Sequence, residues 1–141
     1  MIEIALLGQP RGKERPRLTK TGHVYTPETT RNYEAALRFA AKEAMQDRPP
    51  LAGPLKVQID IRVPITQSWP KKRQQAARSG AERPTKKPDL DNLMKMIDAC
   101  NLVVWIDDSQ IVEAYINKVY SDKPGFWLTV WPLNEEEGIF G

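Results

Sequence analysis

Cysteine is almost absent from this chain: Cys100 is the single one among 141 residues. No intramolecular disulfide can form, and no cysteine-based zinc site exists. Histidine is equally scarce, and His23 reads as an exposed residue at a strand end. No apolar run approaches the roughly 18 residues that a membrane span requires, so no membrane association is expected. The opening MIEIALLGQP is too short and wrongly flanked for a signal peptide. A reducing, cytoplasmic location is the expectation. Internal repeats and low-complexity segments are missing as well.

What is present suits one ordinary domain spanning 1–141. Hydrophobic residues make up 40% of the chain, enough for a core without a disulfide or metal staple. The net charge of +3 says little, but its distribution says more. Arg11, Lys13, Arg15, Arg17 and Lys20 form one basic cluster. Lys71, Lys72, Arg73, Arg78, Arg83, Lys86 and Lys87 form another. Together they hold 12 of the 21 lysines and arginines. Such polarisation points to a polyanionic partner.

Residues 2–7 read as a short buried strand. The segment GQPRGKERPRL is broken by Pro10, Gly12 and Pro16 and is expected to be an irregular basic loop. His23–Tyr25 suggest a short strand. Thr26 as cap, Pro27 at the first position and Glu28 near the positive end predict a helix to about Met45. Tyr33, Ala36, Leu37, Ala40 and Ala44 form its apolar stripe. Residues 54–63 alternate cleanly, with Leu55, Val57, Ile59, Ile61 and Val63 on one side, and predict a half-buried strand. Ser68-Trp69-Pro70 opens a shorter basic helix ending at Gly80. Residues 65–88 are expected to be the most mobile part before substrate arrives, with Trp69 the candidate for base stacking. Residues 110–120 and 126–132 predict two strands joined as a β-hairpin through Ser121–Gly125. The tail 134–141 is expected to be loose. The fold class is α+β, with about three helices on a mixed or antiparallel sheet.

Acids gather in one place, KKPDLDNLMKMIDACNLVVWIDDSQ, residues 86–110. Asp89 caps a helix predicted over Leu90–Asn101. Steps of 100° put Leu90, Leu93, Ile97 and Cys100 on its apolar side, with Asp91, Lys95 and Asp98 on the other. Asp89 and Asp91 therefore converge at the helix start, with Lys95 one turn on. A short strand over Leu102–Ile106, backed by Trp105, brings Asp107-Asp108 as a third carboxylate. Hard oxygen ligands beside a basic surface suit Mg2+, with Mn2+ as an alternative. Such a metal activates water and polarises a phosphate, and a nearby lysine steadies the developing charge. The same residues also fit a plain structural reading: a cap, an i,i+4 ion pair and a turn. Spacing alone does not decide between the two.

The string PDLDNLMKMIDA followed by WIDDSQIV resembles the signature of the RusA family of Holliday junction resolvases. Its elements are Asp89, Asp91, Asn92, Leu93, Lys95, Asp98, Ala99, Asp107, Asp108, Gln110 and Ile111. The opening GQPRGKERPR and VYTPETTRNYE resemble the family too. The resemblance implies a homodimeric, Mg2+-dependent endonuclease that nicks four-way junction DNA symmetrically. It carries metal and catalytic roles to Asp89, Asp91 and Asp108, with Lys95 assisting, and leaves Asp98 outside the core set. The spacing before the acidic pair is shorter than in the best-known member, which leaves Asp107 as the alternative to Asp108. Arg11, Lys13, Arg15, Arg17, Lys71, Lys72, Arg73, Lys86 and Lys87 are the expected DNA contacts. The rival readings are a DNA-binding module whose acids are structural, and a phosphohydrolase of small nucleotides.

Overall fold

The computed structural model describes residues 1–133, so the expected loose tail lies outside the described residues. Its main element is a four-stranded mixed sheet in the order β1-β6-β4-β5: β1 is Ile2–Leu7, β4 Leu55–Pro64, β5 Ile111–Ser121 and β6 Gly125–Pro132. Between them lie α1 (Glu28–Met45), α2 (Lys71–Ser79) and α3 (Leu90–Lys95), and α3 continues as a 3₁₀ segment over Met96–Cys100. The α+β expectation of one sheet with three helices holds.

The strict alternation of residues 55–63 reflects the position of β4 inside the sheet. Leu55, Val57, Ile59 and Ile61 are fully buried on the core side, while Lys56, Gln58, Asp60 and Arg62 turn to the other face. The core side meets α1, where Thr30, Leu37, Ala41 and Met45 are buried and Tyr33, Ala40 and Ala44 of the expected stripe pack half-buried beside them. Ile2, Ile4, Phe126, Leu128 and Val130 complete the layer from β1 and β6. Arg38 on α1 donates to the Ala99 carbonyl at 2.9 Å, which ties α1 to the 3₁₀ segment.

The expected hairpin of 110–132 does not form. β4 lies between β5 and β6, parallel to the first and antiparallel to the second. Crossing one intervening strand requires about 10 Å at normal strand spacing. The link from Ser121 to Gly125 can span about 13 Å, so a turn-like sequence serves as a bridge over the end of β4. Gly125 is needed there, since a Cβ would lie 2.6 Å from the Trp127 ring and 3.0 Å from the Leu6 carbonyl oxygen. β5 is an edge strand, and its apolar residues Val112 and Tyr115 are exposed.

Three local expectations also change. Pro27, not Thr26, occupies the N-cap of α1, and no side chain caps it. The segment 8–18 is irregular only to Pro16. After that last proline, β2 (Arg17–Leu18) pairs with β3 (Val24–Tyr25). Residues 102–106 form no strand. Leu102 has φ 69° and donates to the Trp105 carbonyl at 2.6 Å, and the Trp105 indole turns inward to donate to Asn101 at 2.6 Å. Burying that indole completely curls the segment into a compact loop.

Candidate active site

Asp89 stands at the N-cap of α3 with extended backbone, φ −74° and ψ 154°, but its carboxylate makes no cap hydrogen bond. Its backbone carbonyl accepts from Leu93 N–H at 3.0 Å, so the chain begins the helix while the side chain stays unused. That carboxylate borders an open cleft of about 660 Å³ lined by Arg11, Arg15, Arg17, Lys87 and Asn92 among others. Lys118 on β5 fixes the approach to the helix, its ammonium donating to the carbonyls of Lys86 at 2.7 Å and Pro88 at 3.0 Å. Asp91 follows in the first turn, 3.8 Å from the Lys95 ammonium, with both side chains largely exposed. An exposed pair at that separation adds little to stability.

The predicted regular helix over 90–101 departs from the 100° wheel after Lys95. Met96, Ile97, Ala99 and Cys100 are all buried, and a 3₁₀ turn accommodates them on neighbouring faces. Leu90, placed on the apolar side by the wheel, is 41% exposed. Asp98 pairs with Lys13, from the N-terminal loop, at 3.3 Å.

The acidic pair divides into two roles. Asp107 caps the short 3₁₀ turn Asp108–Gln110, its carboxylate accepting from Ser109 N–H at 3.0 Å. Hydrogen bonding from Ser109 holds the Asp107 carboxyl below the usual carboxylate range. Asp108 has no such cap. The Asp98 carboxyl, with slight desolvation, pushes the proton affinity of this exposed side chain up. An acid at the 3₁₀ end of the helix thus influences the titration of one at the start of the next turn.

Gln110 fixes that turn. Its amide donates to the carbonyls of Leu51 and Gly53, both at 3.0 Å. Its oxygen accepts from the backbone N–H of Ile106 at 2.9 Å and of Asp107 at 3.2 Å. Gln110 belongs to the family-like string but carries no assigned role there. The D-x-x-Q spacing was the available signal, because an acid followed three residues later by Gln is a capping box.

Among the described residues, no three acidic, histidine or cysteine side chains stand close enough together to hold a metal ion as placed. The donor chemistry nevertheless fits a hard divalent cation. Asp89 offers carboxylate oxygens that the fold does not consume and Asp91 ones held only by a 3.8 Å pair with Lys95, and Mg2+ commonly takes one or two carboxylates with water and phosphate completing its shell.

The expected DNA contacts separate into engaged and unengaged residues. Lys13 is held by Asp98 and, at 3.6 Å, by Glu34. Arg17 pairs with Glu14 at 2.8 Å. Arg73 pairs with Glu82 at 3.0 Å and lies 3.7 Å over the Trp69 ring, so one face of that indole is covered. Among the described residues no ion pair engages Arg11, Arg15, Lys71, Lys72, Lys86 or Lys87. The segment 65–88 is anchored by Arg78 to Asp122 at 2.7 Å and by an edge contact of Trp69 with Tyr120. His23 is exposed and Cys100 buried, as expected. No helix among the described residues is long and apolar enough to cross a membrane.

Comparison with known proteins agrees with these observations. The family Endodeoxyribonuclease RusA matches residues 8–130, which include the basic loop, α3 and the acidic turn. An uncharacterized protein of Bacillus subtilis, YqaN, is 33% identical over 131 residues, covering 87% of this chain and 90% of its own. On the breadth of that match and the motif it contains, the chain belongs to the RusA endodeoxyribonuclease family.

Proposed function

We propose that the protein is a divalent-metal-dependent endonuclease that resolves four-way DNA junctions by paired symmetric nicks, acting as a homodimer in recombination and repair. The observation that carries this reading is the free Asp89 carboxylate at the mouth of a basic cleft, with Asp91 in the next turn. A residue serving only as a helix cap would spend its carboxylate on the backbone, and Asp89 does not. Asp89 and Asp91 are the proposed metal ligands, with Asp108 as a third that the described residues do not bring into one cluster with them and that binding would have to draw in. Asp108 is preferred to Asp107 because Asp107 is committed to its cap and Asp108 is not. When bound, Mg2+ or Mn2+ supplies an activated water and polarises the scissile phosphate.

The chain's own groups do the rest. Arg11, Arg15 and Lys87 along the cleft, with Lys86 next in sequence, hold backbone phosphates, a salt-sensitive interaction. Lys95, only loosely paired with Asp91, is available to stabilise charge on the phosphate as the bond breaks. A junction has approximate two-fold symmetry, so a two-fold dimer presents two sites to opposed strands.

Asp89→Asn and Asp91→Asn should each abolish cutting of a synthetic four-way junction in Mg2+ while binding persists. Unchanged cutting by both variants, or binding without cleavage by the native protein in any divalent metal, overturns the proposal. Linear duplex, flap and nucleotide substrates run alongside test the junction preference.

A further inference from the structure

Lys13 stands in the basic loop, yet its ammonium is turned inward. It lies 3.3 Å from Asp98 and 3.6 Å from Glu34, so it bridges the 3₁₀ end of the α3 helix to α1. Its backbone N–H donates to the Asn92 carbonyl on α3 at 2.8 Å. The preceding residue, Gly12, packs so closely that an added Cβ would lie 2.9 Å from Pro88 Cβ and 3.1 Å from Asn92 Cβ. The following residue, Glu14, donates its N–H to the Thr30 hydroxyl at 3.3 Å. Residues 12–14 therefore form a strap across α3 and α1. Neighbouring Arg11 and Arg15 line the same cleft without an ion-pair partner among the described residues.

We propose that Lys13 is a positioning residue and not a phosphate contact: by gripping Asp98 and Glu34 it fixes the basic loop in register with α3, so that a strand held by Arg11 and Arg15 meets the acids of the site. The contacts are Lys13 to Asp98 on the 3₁₀ segment, Lys13 to Glu34 on α1 and the Lys13 backbone to Asn92 on α3, which join the loop that binds to the helix that carries Asp89 and Asp91. This rests on the nuclease reading for its effect on rate, but the assignment of Lys13 away from phosphate does not.

The test compares Lys13→Gln, Lys13→Arg, Arg15→Gln and Asp98→Asn, each checked for folding by circular dichroism. Single-turnover cleavage of a four-way junction in Mg2+ and the salt dependence of binding in Ca2+ are measured for each. Lys13→Gln should cut at least about tenfold more slowly, because small misplacements of reacting groups are costly. Its junction affinity and salt slope should stay as in the native protein, whereas Arg15→Gln should lower the slope by about 0.9 for a lost phosphate contact. Lys13→Arg should restore most of the rate. The Lys13→Gln/Asp98→Asn double variant should be no slower than the slower single variant. A salt slope for Lys13→Gln reduced like that of Arg15→Gln overturns the assignment, and so does an unchanged cleavage rate or additive loss in the double variant. If Lys13→Gln does not fold, Asp98→Asn decides: slower cleavage with an unchanged salt slope supports the assignment, and an unchanged rate overturns it. A native protein that binds the junction without cutting it refutes the nuclease reading, while the salt slopes still decide the role of Lys13.

Discussion

Replacing Gln110 by Ala is the sharpest perturbation of the acidic turn. The side chain uses both amide hydrogens and accepts twice, with four partners between 2.9 and 3.2 Å. All four partners are backbone groups, from two segments far apart in sequence. A net protein hydrogen bond contributes about 0.5–1.5 kcal/mol, and water can reach most of these groups, so the low end applies. Four such bonds give about 2 kcal/mol. With a typical urea m-value for a domain of this size, about 2 kcal/mol per molar, the unfolding midpoint should fall by about 1 M. The m-value itself should not change. Gln110→Glu separates the two halves of the network, since it keeps the acceptors and faces the Leu51 and Gly53 carbonyls with oxygen. It should be at least as destabilising as Gln110→Ala at neutral pH despite its closer shape. Junction cleavage should fall in both variants while junction affinity holds, because the turn carries Asp108 and no phosphate contact. A midpoint shift under about 0.2 M for Gln110→Ala would mean that the turn is held by something other than this amide.

Two further outcomes test the packing. Ile59→Ala removes a fully buried side chain from the central strand and should cost about 3 kcal/mol in urea unfolding, with the m-value preserved. Cys100 should resist alkylation in the folded protein at pH 8 and react on unfolding, since burial pushes its thiol up to about 12 from an ordinary 9.0. The folded value is the raised one, so this contribution is intact below pH 9.0 and is lost as pH rises toward about 12. Cys100→Ala should therefore lose less stability between pH 8 and pH 10 than the native protein. Tyr33, also pushed to about 12 by burial, acts equally in both and cancels.

The match to the RusA family gives the acids a chemical context, but the division of labour among them comes from hydrogen bonding. Asp107 and Asp108 are adjacent and chemically identical. The backbone N–H of Ser109 commits one to a cap and leaves the other uncapped, its proton affinity raised by Asp98. Likewise, the basic loop is one cluster by composition but two by contact, with Lys13 and Arg17 paired internally and Arg11 and Arg15 free of ion pairs among the described residues.

The linear chain by itself determined the elements whose signals are local. The alternation of 55–63 made β4, the apolar spacing of 30–45 made α1, and Pro88-Asp89 started α3 with a carboxylate pair in its first turn. Those patterns depend on residues within one or two turns of each other, so they are readable without the fold. Only the tertiary structure decided that β4 parts the two strands of the expected hairpin, because strand partners are chosen by which apolar faces meet across the core. It also decided that burial of residues on neighbouring faces tightens the helix after Lys95 into a 3₁₀ segment. As a result Asp98 is drawn toward Lys13, some 85 residues away in the chain, through a contact to which no local pattern refers.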